Sequence, residues 1–391
     1  MIKHKLLEKY SPLYFLAALG AGGVAITFFI HLTFAVDHPQ SPIVTFDQLW
    51  PILRHGSPWA GALTGLAMAG LLAFSLLHLR LLAWNLIEFL RFRRTDSYPQ
   101  LLRSNNEVSL MTIPLTLAMT INVMFVNGAV FVPGLWQHVD RLFPFAIAAF
   151  LAVGALALRL YARYFARLIS AGEFDFGDNN NLGQMVAVFA FAMVSVGLAA
   201  PGAISHQVEI NALGVFGAVF FAAVAMTLGL LKLVLGFKSM LRYGITSVAS
   251  PSLWILIPIL TLLGIAMIRV GFDQAVSTPG LFLLTSGIFS LQILFGILGY
   301  TVMLRLNYFG DYLHGEQRHP DSYALVCPGV AFFVFGMFFI SFGLLQNGLI
   351  EKFSIGYFAA LAPLVYIQAK TIKTMLRLND RLLREPSLVA T

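Results

Sequence analysis

Residues 1–36 read MIKHKLLEKYSPLYFLAALGAGGVAITFFIHLTFAV. Three lysines, Lys3, Lys5 and Lys9, precede residues 12–36, which contain no Asp, Glu, Lys or Arg. An apolar run of about 20 residues is long enough to cross a bilayer as a helix, and Lys and Arg concentrate on the cytoplasmic side of such helices. The stretch therefore predicts an uncleaved first membrane helix whose N-terminus lies in the cytoplasm.

The composition extends this interpretation to the whole chain. Of its 391 residues, 58% are hydrophobic and 11% are charged, and the mean hydropathy is +0.81. So little polar surface cannot cover a water-soluble globule, which indicates a polytopic membrane protein. The formal net charge of +7 lies mainly near helix ends, where membrane lipids with anionic headgroups are the expected partners. The charge does not predict binding to nucleic acid.

Ten apolar runs predict ten transmembrane helices in a single transmembrane domain over residues 1–391. The predicted helices are residues 12–35, 58–90, 108–131, 144–168, 182–204, 211–236, 248–270, 280–306, 323–346 and 354–377. The predicted fold class is an all-α polytopic membrane protein built from five helical hairpins.

The distribution of positive charge predicts the orientation of these hairpins. All but four of the 25 Lys and Arg residues lie at the N-terminus or on the side where the even-numbered helices end. The exceptions, Arg54, Arg141, Arg269 and Lys352, lie on the opposite side. By the tendency of Lys and Arg to stay in the cytoplasm, both termini are predicted to be cytoplasmic.

The odd-numbered helices differ from the even ones in carrying more helix-loosening residues. Candidate kink or pore-lining positions are Gly20, Pro114, Gly197, Pro258 and Gly336. Kinked helices rich in small residues suit an inner layer, whereas longer and straighter helices suit a lipid-facing layer. We expect the odd helices to form an inner ring around a central pore, and the even helices to form an outer ring. Thr116 and Ser109 are candidates to line the central pore, because neutral donors can replace the hydration water of an anion.

The chain lacks the side-chain clusters that a membrane enzyme or redox subunit needs. The single cysteine, Cys327, lies in an apolar run, and the histidines, among them His78 near the cytoplasmic side, share no common depth. No catalytic residue, cofactor or metal site is therefore predicted. Glu88 stands one turn before Arg91, which predicts an ion pair at the membrane interface. The acidic loop at residues 172–181 (GEFDFGDNNN) lacks the ligand order of a calcium-binding loop.

Four short motifs resemble segments of the tellurite-resistance and dicarboxylate transporter family, which includes the bacterial TehA-type and plant SLAC-type anion channels. They are Tyr14-Phe15 with Leu19-Gly20, residues 112–116 (TIPLT), Pro258 in an apolar run, and residues 331–336 (AFFVFG). All lie in odd helices, and the resemblance extends to the whole ten-helix plan. Ala18 departs from the family pattern, which often has proline there.

The resemblance implies a homotrimer with one pore per subunit, located in the bacterial cytoplasmic (inner) membrane. It also implies that a phenylalanine of the ninth helix occludes the pore, and Phe335 stands at the matching position, with Phe342 as the rival. An apolar ring across a narrow pore makes the passage of a charged solute costly. Phe335→Ala is therefore expected to increase anion conductance without changing the preference for anions over cations.

These observations predict passive, channel-like transport of small inorganic or organic anions through a neutral central pore. The alternative is a secondary carrier or exporter of a dicarboxylate, sulfite or a related oxyanion, with or without proton coupling. Within the odd helices, residues 12–36, 108–139, 182–208, 243–268 and 322–350 contain no Asp, Glu, Lys or Arg, which disfavours tight coupling to protons.

Overall fold

Membrane-length helices make up most of the structure. The computed structural model describes residues 2–39, 41–171, 180–272 and 278–384. Within these residues, ten helices are long and apolar enough to cross a membrane, which confirms the prediction of a polytopic helical membrane protein. Their α-helical parts are α1 Phe15–Ala35, α2 Pro58–Phe92, α3 Thr112–Phe131, α4 Val139–Ala171, α5 Val186–Ile204, α6 Val208–Tyr243, α7 Leu256–Met267, α8 Thr278–Arg305, α9 Val326–Phe338 and α10 Ile355–Leu378.

The predicted spans coincide with these helices, and the differences lie at helix ends. Helices α4 and α6 extend past their apolar runs, because helical hydrogen bonding continues into turns that carry charged residues. Two short helices, Phe46–His55 and Ser97–Leu102, lie in connections and were not predicted. They are too short for a hydropathy search to detect. Residues 172–179 of the acidic loop, and Asp273, lie outside the described residues.

Odd and even helices differ sharply in burial. Within the apolar stretch of each spanning segment, 56–83% of the residues are buried in the odd members and 17–33% in the even members. A helix that is apolar on all sides can be covered by protein or by lipid, so hydropathy alone does not separate the two groups. Within the described residues, the odd spanning segments are therefore more buried than the even ones.

Contacts between helices follow one order. Each odd helix contacts the even helix that follows it in the chain. Among the odd helices, α1 contacts α3, α3 contacts α5, α5 contacts α7, α7 contacts α9, and α9 contacts α1. The contacts of the buried helices therefore form a closed sequence.

The two ends of the described chain meet on one side of the bundle. The backbone nitrogen of Lys3 donates to the carbonyl oxygen of Leu383 at 2.7 Å, and Ile2 pairs with Arg384 in an isolated antiparallel bridge. The indole nitrogen of Trp84 in α2 donates to the Lys3 carbonyl at 2.7 Å. This side is the predicted cytoplasmic side.

Glu88 of α2 holds the N-terminal segment in place. Its fully buried carboxylate accepts hydrogen bonds from the backbone nitrogens of Lys5 at 3.1 Å and Leu6 at 2.9 Å. It also pairs with Arg91 at 2.5 Å, which confirms the predicted ion pair. Charge-assisted hydrogen bonds of this kind are what make a buried carboxylate tolerable.

Helices α5 and α6 approach each other backbone to backbone at Gly202 and Gly214. A Cβ atom built on Gly214 would lie 2.6 Å from the backbone nitrogen of Gly202, and one built on Gly202 would lie 2.7 Å from that of Val215. Backbone atoms cannot rotate aside as side chains do. Glycine at both positions therefore permits the close crossing of the two helices.

Gly214→Ala is expected to lower the free energy of unfolding by about 1–3 kcal/mol, because overpacking against backbone forces the two helices apart. Gly287→Ala in α8 is the matched control, since its Cβ would meet nothing within 4 Å. That substitution should be neutral or slightly stabilising, because alanine favours helix more than glycine does. Thermal unfolding in detergent measures both, and equal midpoints would contradict the close crossing.

Candidate functional site

Two adjoining cavities lie among the odd helices. The outer cavity has a volume of about 150 Å³ and the cytoplasmic cavity about 800 Å³, and both are named after the predicted topology. Phe189, Pro258 and Cys327 line both cavities. These three residues therefore stand at the boundary between them.

The outer cavity is mainly apolar. All five odd helices contribute to its lining, with aromatic side chains such as Phe125 and Phe338 among them. Among the described lining residues, the side chains with nitrogen or oxygen atoms are those of Asn122, Thr261 and Arg269. A solute in this cavity thus meets hydrocarbon on most sides and a single formal charge.

Arg269 has no hydrogen-bond or ion-pair partner among the described residues, although it lines the outer cavity. It follows α7 in the π-helical turn Ile268–Phe272. The two other polar side chains already donate their hydrogens: Asn122 Nδ2 to Ala118 O at 3.2 Å, and the Thr261 hydroxyl to main-chain carbonyls. Sequence analysis placed Arg269 on the outer side, but the charge pattern could not show that it lines a cavity.

The starts of all five odd helices surround the cytoplasmic cavity. Each odd helix is preceded by a 3₁₀ segment: Pro12–Tyr14, Asn105–Met111, Gly183–Met185, Ser250–Ile255 and Pro320–Leu325. Every one of these segments contributes lining residues, namely Pro12, Asn105, Gly183, Pro251 and Asp321, with others beside them. A helix start has backbone N–H groups without helical partners and a partial positive charge. At four of these starts a side chain accepts from one such N–H group, namely Ser11, Ser104, Asn181 and His319. Five such ends therefore face one cavity.

Ser109 adds an unpaired hydroxyl to the cytoplasmic cavity. Its side chain is only 6% exposed, and its Oγ has no hydrogen-bond partner among the described residues. A buried hydroxyl without a partner costs free energy unless a solute or water satisfies it. Sequence analysis found Ser109 only as one of several neutral candidates, because the sequence does not show which hydroxyls bond to their own helix.

Charged side chains also line the cytoplasmic cavity. His319 Nδ1 lies 3.2 Å from Asp321 Oδ2, and the hydrogen bond to this carboxylate raises the pKa of the His319 imidazole. Arg103 is exposed on the same cavity. When His319 is protonated, it balances Asp321 and leaves the charge of Arg103 in excess.

Some of the glycines and prolines predicted at kinks line the cavities, and others lie where helices pack against each other. Gly20 lines the outer cavity, and Pro258 lines both cavities. Gly197 and Gly336 instead leave room for neighbouring helices, since added Cβ atoms would meet a phenylalanine of α4 at 2.2 Å and a leucine of α10 at 2.6 Å. Two of these four positions therefore serve helix packing.

Pro114 and Thr116 of α3 line neither cavity within the described residues. Pro114 lies in the first turn of α3, where a missing N–H removes no helical hydrogen bond and causes no kink. The Thr116 hydroxyl donates to Thr112 O at 2.8 Å and to Phe15 O at 3.2 Å. Thr116 thus connects α3 to α1, and its hydroxyl is already used.

Phe335 lines neither cavity in the described part of the chain, and its placement across a pore stays a prediction. Its fully buried ring packs towards α7, where a Cβ on Gly264 would lie 2.6 Å from it. The rival Phe342 packs against Phe34 and Phe338 and also lines neither cavity. Each residue turns an α-helix by about 100°, so a shift of one position moves a ring off the axis.

Phe189 of α5 is the aromatic residue at the boundary between the two cavities. It is almost fully buried, and it has the largest side chain of the three residues that line both cavities. Sequence reasoning missed it because α5 is apolar apart from Ser195. No polar residue or motif marks one of its phenylalanines.

His78 is fully buried within α2 and connects this helix to two odd helices. Its Nδ1 lies 2.7 Å from Ala18 O, and its Nε2 lies 2.9 Å from Thr120 Oγ. It lies 14 residues before Phe92, the last residue of α2. The Thr120 hydroxyl can donate to Nε2, or accept from it while donating to Thr116 O at 2.9 Å. The site therefore accommodates both the neutral and the protonated imidazole.

Comparisons with known proteins add no name to this geometry. No family model, no curated protein and no solved structure matches the chain. Among the described residues, no three His, Cys, Asp or Glu side chains are grouped as metal ligands.

Proposed function

We propose that the protein conducts small anions passively across a membrane, along a path through the two cavities. The odd helices form the inner ring around this path, and the even helices form the lipid-facing outer ring. The closed order of contacts among the odd helices and their greater burial support this arrangement. The lining of the outer cavity by all five odd helices supports it as well.

The convergence of five helix starts on the cytoplasmic cavity is the observation that carries the proposal. Each start is equivalent to about half a positive elementary charge, and the effect is concentrated in the first turn. Five starts around one cavity attract anions and repel cations without a cationic side chain in α1, α3, α5, α7 or α9. The free hydroxyl of Ser109 offers a hydrogen bond to an anion in the same space.

Phe189 is the aromatic residue that occludes the path in this proposal. Its ring stands between a polar cavity and an apolar one, where an anion must lose hydration water. The proposal keeps the aromatic barrier expected from the sequence and transfers it from α9 to α5. The family resemblance implies the same transport function, a trimer and the bacterial cytoplasmic membrane, and these remain predictions.

A secondary carrier of an oxyanion, coupled to protons, is the second candidate, and His78 favours it. Its imidazole can change charge while keeping both hydrogen-bond partners, and those partners belong to α1 and α3. A titratable group buried in a membrane span is a functional candidate by default. Proton binding at His78 could then bias the position of two helices that line the path.

Proteoliposomes that contain the purified protein test the two functions. We expect a chloride or nitrate gradient to drive flux with clear preference for anions over potassium. An imposed pH gradient should leave that flux unchanged. Uphill anion accumulation driven by the pH gradient would replace the passive function with the carrier, and preference for potassium would contradict both.

A further inference from the structure

We propose that Arg269 forms a binding site for a small monovalent oxyanion in the outer cavity. The proposal deepens the proposed function and rests on it in taking the ligand as the transported anion. The observation behind this site is independent of the helix starts, because it concerns the outer cavity and the charge of a side chain. Arg269 lines that cavity and has no partner among the described residues.

A guanidinium group without a partner in apolar surroundings requires an anion or water. Leaving an ionised group unpaired in such a place is costly, so an anion that pairs with it gains more than it would at an exposed surface. The other polar side chains of the described lining already donate their hydrogens and so do not compete with the guanidinium for an anion. Asn122 and Thr261 bond to carbonyl oxygens, and Thr261 also accepts from Gln292 at 2.7 Å. Arg269 is thus the available donor in the described lining.

The shape of the guanidinium selects the class of anion. Its N–H groups form a planar fork that binds two oxygen atoms in parallel, so an oxyanion gains two hydrogen bonds where a halide offers only one centre. One positive charge amid apolar side chains balances one negative charge. A dianion would keep an uncompensated charge in a poorly solvating cavity, so nitrate, bisulfite or a short monocarboxylate fits better than sulfate or a dicarboxylate dianion.

Binding can be measured without transport. The purified protein is unfolded by heat in detergent with increasing sodium nitrate, and sodium gluconate keeps the ionic strength constant. A ligand that binds only the folded state raises the unfolding midpoint as its concentration rises. We expect nitrate to raise the midpoint of the wild type in a way that depends on Arg269. Sulfate should raise it only by the general effect of an excluded salt, which does not depend on Arg269.

Three variants locate the effect. Arg269→Gln should weaken nitrate binding by about tenfold or more, the loss expected for a charge-assisted hydrogen bond. Arg269→Lys keeps the charge but not the fork, so it should bind chloride and nitrate about equally. Arg141→Gln is the matched control, because Arg141 is exposed on the same predicted side and lines neither described cavity. It should bind nitrate as the wild type does.

Two results would overturn the site: a wild type that nitrate does not stabilise, or an Arg269→Gln variant that nitrate stabilises as strongly as the wild type. Equal stabilisation by sulfate that depends on Arg269 would overturn the preference for a monovalent anion. The outcome is separable from the proposed function. Nitrate binding that depends on Arg269 in a protein that conducts no anions would support the site and contradict the transport. Anion flux in a protein that nitrate does not stabilise would support the transport and contradict the site.

Discussion

Phe189→Ala should increase anion flux through the reconstituted protein by about tenfold or more, which corresponds to a barrier lower by about 1.4 kcal/mol. Phe189 lines both cavities, and truncation of its ring would join them into one hydrated space. A wider, wetter boundary lets an anion keep part of its hydration shell. The preference for anions should not change, because the helix starts that produce it remain.

Phe335→Leu is the matched control for this experiment. Phe335 is a phenylalanine of another odd helix. Its ring packs towards the space beside Gly264 of α7, which Ile288 of α8 also approaches. Leucine keeps much of the buried volume, so flux should stay within about twofold while the unfolding midpoint falls. A flux increase in Phe335→Leu with none in Phe189→Ala would indicate that Phe335 of α9, and not Phe189, occludes the path. Ion flux in proteoliposomes at matched protein density measures both variants.

Glu88→Ala should lower the free energy of unfolding by about 2–4 kcal/mol. The buried carboxylate accepts two backbone hydrogen bonds from the N-terminal segment and pairs with Arg91. Its removal leaves two backbone N–H groups without their partner and an arginine without its counter-ion. We place the loss below the largest values for buried ion pairs, because Arg91 remains partly exposed to solvent.

Asp37→Ala provides the comparison for Glu88→Ala. Asp37 also pairs with a cation, Lys352 at 2.6 Å, but the Asp37 side chain is 90% exposed. An exposed ion pair contributes less than about 1 kcal/mol, so this variant should unfold close to the wild type. Fluorescence-detected size exclusion after heating measures both proteins. Similar midpoints for the two variants would contradict the role assigned to Glu88.

The spans could be predicted from the sequence because membrane insertion depends on a property that is local in the chain. About 20 consecutive apolar residues suffice to identify a helix, and the ten runs, from residues 12–35 to 354–377, all correspond to helices in the structure. Small residues in the odd runs also indicated which helices are buried. The ends of α4 and α6 were less predictable, since polar turns continue a helix without a hydropathy signal.

The candidate site was harder to predict because it depends on the rotation of each helix about its axis. In α9, Phe335 and Phe338 are three positions apart, yet Phe338 lines the outer cavity and Phe335 does not. In a run this rich in phenylalanine, no polar residue shows which face is turned inward. Arg269 was difficult to predict for a different reason, because a charged residue near a helix end is expected to be exposed to solvent. Only the tertiary structure shows that it lines a cavity.

The contact of α1 with α9, together with the pairing of Lys3 with Leu383, has a consequence for biosynthesis. The first hairpin is inserted into the membrane while residues more than 300 positions later have not been synthesised. Until α9 and α10 arrive, one flank of α1 faces lipid or a membrane chaperone and not its final neighbour. The closed sequence of contacts among the odd helices therefore forms only after α9 has been synthesised, and a nascent chain that stalls earlier lacks the contact between α9 and α1.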